Sequence, residues 1–109
     1  MIAAPPPPPA RVQVVAQEFR YALSRQTIKA GWAIVELRNG GEDVHDLVVL
    51  DGRGRRLATS GEIGAGVRAT IRVTLRRTGT YRLLCTRDDH AARGMRARLR
   101  VRPLRRPAR

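Results

Sequence analysis

Met95-Arg96-Ala97-Arg98-Leu99-Arg100-Val101-Arg102 alternates an apolar residue with an arginine over its whole length. A period of two marks a half-buried β-strand, because successive side chains on a strand point to opposite faces. Working back toward the N-terminus, Tyr81, Leu83 and Cys85 share a face opposite Arg82, after a Thr78-Gly79 turn. Ile71, Val73 and Leu75 alternate with Arg72, Thr74 and Arg76, and His45, Leu47 and Val49 alternate before the Asp51-Gly52-Arg53-Gly54 turn. Trp32 to Leu37 is a β-favouring run closed by Asn39-Gly40-Gly41; Phe19, Tyr21 and Leu23, then Val12, Val14 and Ala16, complete the series. About seven to eight short strands at this spacing, with no helical period, predict an all-β Greek-key sandwich.

Proline marks the limits of the folded unit. Pro5 to Pro9, Pro103 and Pro107 are the only prolines, so residues 10–102 hold none. Residues 1–10 read as an extended proline-rich arm or linker, 11–102 as the domain and 103–109 as a basic tail. The start shows neither a basic region nor an apolar core of signal-peptide length, and an N-terminal tether beyond the arm is one expectation. No run approaches the ~20 apolar residues of a membrane span.

With 109 residues and a formal net charge of +13, the chain is one domain with a strongly basic surface. One cysteine excludes an internal disulfide framework and any multi-cysteine zinc or iron–sulfur site, and two histidines exclude a His-rich metal cluster. Charge alone suggests a nucleic-acid or anion-binding module. The aromatic content argues against a specific one, because Tyr21 and Tyr81 share the parity of core residues and leave no stacking platform.

The rare residues are more informative. Cys85, His90 and Met95 form a Cys-x4-His-x4-Met pattern across the loop between the last two strands, and His45 opens another strand on its inward parity. Taken singly, each has an ordinary reading: an inert core cysteine, a satisfied histidine, a packing methionine. Taken together, a thiolate, two imidazoles and a thioether are the donors that copper uses for electron transfer. A thiol nucleophile at Cys85 would need a third group to orient His90, and none has convincing spacing, so the chain is not expected to be an enzyme.

At these residues the sequence resembles the cupredoxins, the small blue copper proteins of the plastocyanin, azurin and rusticyanin type. The likeness runs through Glu18-Phe19-Arg20-Tyr21, Ile28-Lys29-Ala30-Gly31, Val35-Glu36-Leu37-Arg38-Asn39-Gly40-Gly41, His45-Asp46-Leu47-Val48-Val49, Thr78 to Cys85 and His90 to Met95. It implies one copper ion held by His45, Cys85 and His90, with Met95 as a weak axial ligand. Asp46 and Thr86, each directly after a ligand, would tie the two ligand loops together. It further implies a one-electron carrier, with electrons passing through the exposed edge of His90, in the periplasm or another extracytoplasmic location. Redox protein partners with an acidic patch would dock at Arg87 and Arg93, and the carrier would be monomeric. A copper carrier or storage protein is the other copper reading, although such proteins favour exposed sites.

One departure stands out. Asp88-Asp89 occupies the place where relatives with this loop length usually have Pro-Gly. Two acids there predict a lowered reduction potential and a more mobile loop.

Overall fold

The computed structural model describes residues 5–104. The start of the arm and most of the basic tail lie outside them.

Nine strands form two sheets: β1 Ala10–Gln17, β2 Arg20–Leu23, β3 Thr27–Lys29, β4 Gly31–Asn39, β5 Val48–Leu50, β6 Arg56–Thr59, β7 Arg68–Leu75, β8 Gly79–Leu84 and β9 Arg96–Arg102. One sheet runs β2-β1-β4-β7 and the other β3-β9-β8-β5-β6. The all-β sandwich read from the sequence is the observed architecture. The two added strands, β3 and β6, span only three and four residues.

Alternation does the packing. In β1, Ala10, Val12, Val14 and Ala16 are buried, and in β4 Ala33, Val35, Leu37 and Asn39 are buried. These two strands are parallel, with Val14 opposite Leu37 and Ala16 opposite Asn39. From the second sheet Leu83, Leu99 and Val101 face them, and together they make one contiguous core. Each fully buried leucine or valine contributes about 1.5–3 kcal/mol relative to exposure. The arginines take the opposite parity, and those of β9 are all exposed.

The alternation expected over 45–49 does not hold. His45, Asp46, Leu47, Val48 and Val49 are buried in succession, and only Val48–Leu50 is a strand. The chain here crosses from the first sheet into the second, where β5 lies between β8 and β6. His45 is fixed by an isolated antiparallel bridge to Ile63, with His45 N donating to Ile63 O at 3.1 Å and Ile63 N to His45 O at 2.8 Å.

Candidate metal centre

The β8–β9 connection and the β4–β5 crossover meet at one end of the sandwich. Cys85 follows β8 and Met95 precedes β9, and Cys85 N donates to Met95 O at 3.1 Å. Between them the chain makes tight turns: His90 N donates to Arg87 O at 3.0 Å, Gly94 N to Ala91 O at 3.0 Å and Met95 N to His90 O at 3.0 Å. Gly94 has φ 114°, a backbone state that L side chains rarely adopt, which lets the turn close into β9.

This loop carries His90 back over Cys85. His90 Nδ1 lies 3.5 Å from Cys85 Sγ and 3.2 Å from His45 Nδ1. One donor atom from each of the three residues falls within 4.8 Å of the others, and all three side chains are buried. Met95 is fully buried beside them in the chain. Burial pushes the Cys85 thiol up from its ordinary value, so a cation is what would draw the thiolate out. Donors ~3–5 Å apart can each reach a shared ion at ~2.0–2.3 Å, the length of metal–nitrogen and metal–sulfur bonds. One soft sulfur with two imidazole nitrogens fits copper and does not fit magnesium or calcium.

The residues after the two donors bind each other. Thr86 N donates to Asp46 Oδ1 at 2.7 Å, and the Thr86 hydroxyl donates to Asp46 Oδ2. The buried Tyr21 hydroxyl donates to the Asp46 carbonyl, and burial holds its own proton well above the usual phenol range. Both ligand loops are therefore pinned to the same residue.

Several other side chains at this end belong to the site without a sequence signal that marks them as such. Glu18, in the β1–β2 turn, places Oε1 at 3.1 Å from His45 Nε2 and accepts Glu42 N at 2.8 Å and Asp43 N at 2.6 Å. These hydrogen bonds, that from Asp43 foremost, hold its carboxyl down at about 2. Asp43 Oδ2 stands 3.6 Å from His90 Nε2. The buried Asn39 donates Nδ2 to Asp43 O at 2.7 Å and to Ile63 O at 3.0 Å, and its Oδ1 accepts Gly41 N at 2.9 Å. The sequence signal for these was faint: a turn tripeptide at 39–41 and an acid at a strand end.

One expectation about the loop is corrected. His90 is only 4% exposed, because the Phe19 ring packs on it at 4.8 Å and Asp43 faces its outer nitrogen. Its edge is covered, not open. The acids nearest the ligand rings are Glu18 and Asp43, whereas Asp89 is taken up by Arg93 at 2.7 Å. Arg93 also stacks over Phe19 at 4.9 Å, and Arg87 pairs with Glu62 at 2.5 Å. Both loop arginines proposed for docking are thus engaged within the chain.

Solved structures share this fold. The auracyanin of the photosynthetic bacterium Roseiflexus castenholzii aligns with a TM-score of 0.77 over 86% of this chain and 98% of its own, at 22% identity. This chain has the cupredoxin fold. Auracyanin A of Chloroflexus aurantiacus, titled a "blue" copper protein, aligns with a TM-score of 0.70 over 87% of this chain and 100% of its own, at 14% identity. An azurin from Methylomonas sp. strain J aligns with a TM-score of 0.67 over 85% and 98%, at 16% identity. No protein-family model and no curated protein sequence matches the chain. What it shares with these structures is therefore the fold, and at one end of that fold this chain carries its own His-Cys-His cluster. Among the described residues no helix is long and apolar enough to cross a membrane.

Proposed function

We propose that this protein binds one copper ion at His45, Cys85 and His90, with Met95 as axial ligand, and carries single electrons between redox partners. The observation that supports this most directly is the convergence of Cys85 Sγ and the two Nδ1 atoms in a buried pocket. Copper bound there would supply a Cu(I)/Cu(II) couple.

The chain's own residues supply the rigidity that fast transfer needs. Asp46 and Thr86 lock the two ligand loops, and the bridge at Ile63 fixes His45. Phe19 and the sheets exclude water from the donors, so little solvent would reorganise when the charge changes. His90 lies nearest the outside, one aromatic ring beneath the surface, and a partner docking over Phe19 and Arg93 would be separated from it by that thickness. Four protein donors leave no open coordination position for a substrate, which favours a carrier over an enzyme. Their burial favours a site that keeps its metal over one that delivers it.

Acidic redox partners fit the exposed arginines of the outer faces, and an extracytoplasmic location is proposed from the likeness to auracyanins and azurins. Specific nucleic-acid binding is disfavoured: Tyr21 and Tyr81 are buried and Phe19 lies on His90, so only Trp32 offers an exposed ring.

Addition of Cu(II) to the purified protein tests the reading. An intense band near ~600 nm from thiolate-to-copper charge transfer is expected, and it should vanish in Cys85→Ala. A folded protein that stays colourless would overturn it.

A further inference from the structure

The β1–β2 turn places a carboxylate against the far side of a proposed metal ligand. Glu18 Oε1 accepts from two backbone amides, of Glu42 and Asp43, and lies 3.1 Å from His45 Nε2. His45 is completely buried, whereas the Glu18 side chain is about a third exposed. An ionised carboxylate only accepts, with about four lone-pair sites, so two amide donors leave capacity for a further N–H, and His45 Nε2 is in reach. If the Nε2 position carries the proton, Nδ1 is bare, and Nδ1 is the atom that faces His90 Nδ1, which itself lies 3.5 Å from Cys85 Sγ.

A second observation shows that room has been made for this carboxylate. A Cβ built on Gly41 would overlap both Glu18 carboxylate oxygens and lie 2.7 Å from Cδ. Gly41 does not have the positive φ seen at Gly31 or Gly94, so its backbone would accept alanine. What a Cβ at position 41 would meet is the Glu18 carboxylate, which would have to shift out of place. The register explains the meeting: Ala16 pairs with Asn39 in the parallel β1–β4 ladder, so the residues two further along each strand, Glu18 and Gly41, arrive together.

We propose that Glu18 and Gly41 form a positioning pair: the Glu18 carboxylate, admitted by the bare Cα of Gly41, fixes the His45 tautomer with Nδ1 free for metal and sets a permanent negative charge one imidazole away from it. The second half of this proposal rests on the copper reading; the first does not. A charge at that distance favours the more positive metal state, so it biases the site toward Cu(II). Replacing Glu18 by glutamine keeps an acceptor oxygen and removes the charge, whereas alanine removes both.

The test starts without metal. In the metal-free protein at neutral pH, two-dimensional ¹⁵N NMR of the imidazoles should show His45 protonated at Nε2 with Nδ1 bare. Glu18→Ala should lose that preference and Glu18→Gln should keep it. Gly41→Ala should behave like Glu18→Ala, and should cost no further stability when Glu18 is already alanine. With Cu(II) as the probe, Glu18→Ala should weaken binding by ~10–100-fold, the usual loss when a metal-bound histidine loses its hydrogen-bond partner. Glu18→Gln should retain the colour and raise the reduction potential. An Nδ1-protonated His45 in the parent protein, or additive effects of the two alanines, would overturn the positioning pair even if copper binds. Absence of colour with the expected NMR result would instead overturn only the copper reading and leave the tautomer assignment standing.

Discussion

Thr86 and Asp46 sit forty residues apart in sequence and share two hydrogen bonds, one from the Thr86 amide at 2.7 Å and one from its hydroxyl. Each directly follows a donor of the metal cluster, so the pair works as a clamp across the two loops. Thr86→Val keeps the shape and the amide bond but removes the hydroxyl. Because the acceptor is a buried carboxylate, the expected cost is about 1.5–3 kcal/mol in urea unfolding. Thr86→Ser should recover most of it. If valine is neutral, the hydroxyl contributes nothing and the amide bond and packing alone hold the loops.

Met95 is completely buried, a fact equally consistent with a ligand and with a core residue. Met95→Leu separates the two roles. The swap nearly conserves volume, so stability should change by less than ~1.5 kcal/mol. Loss of an axial thioether should nevertheless raise the reduction potential of the copper-loaded protein, as measured by voltammetry. An unchanged potential would make Met95 a packing residue only.

Arg82 on β8 lies directly opposite Arg98 on β9, and both are exposed. Like charges at paired positions repel, so Arg82→Glu should stabilise the fold by ~0.2–1 kcal/mol. Salt should raise the stability of the parent protein by screening this contact, and should do less for the variant. Urea midpoints at low and high ionic strength provide the check.

Asp51 closes the β5–β6 turn. Its Oδ1 accepts from the amides of Arg53 and Arg55, both at 2.9 Å, and Arg55 Nε donates to Oδ2 at 3.1 Å. The Arg55 amide is the main reason its carboxyl lies below the ordinary 3.8. A carboxyl whose pKa is depressed by folding stabilises the protein above its unfolded value, and loses that contribution as pH falls through its folded value. Asp51→Asn should therefore lower the melting temperature at pH 6, and the gap should begin to narrow as the pH falls below about 4. A gap that does not narrow at all as the pH is lowered would mean that the charge is irrelevant.

How much of this was legible in the sequence depended on the kind of signal. Strands β1, β4, β7, β8 and β9 announce themselves because an inward apolar residue must alternate with an outward polar one. β3 and β6 are too short to show a period, and the 45–49 segment hides its own because neither side of it faces solvent. The donors were visible because cysteine and histidine are scarce in this chain, so an ordered spacing among them stands out. Glu18, Asn39 and Asp43 were not legible as parts of the site, for the opposite reason. Acids and amides are common at turns, and these become part of the site only once the parallel pairing of Ala16 with Asn39 sets their turns side by side. Asp88 and Asp89 stand out because they lie beside the ligand in sequence, whereas Glu18 and Asp43 lie beside the rings in space.

The β1–β2 turn belongs to the four-stranded sheet, yet it covers a cluster whose cysteine and second histidine hang from the five-stranded one. The two sheets touch chiefly through apolar side chains, which can slide by fractions of an ångström when the core is altered. Any such slip would move Glu18 and Phe19 against the two imidazoles while leaving the loop 85–95 unchanged. The colour and potential of a metal held here would thus serve as a vernier for the spacing of the sandwich. A substitution as remote as Leu37→Val, made well inside the core, would be read out at the end of the molecule.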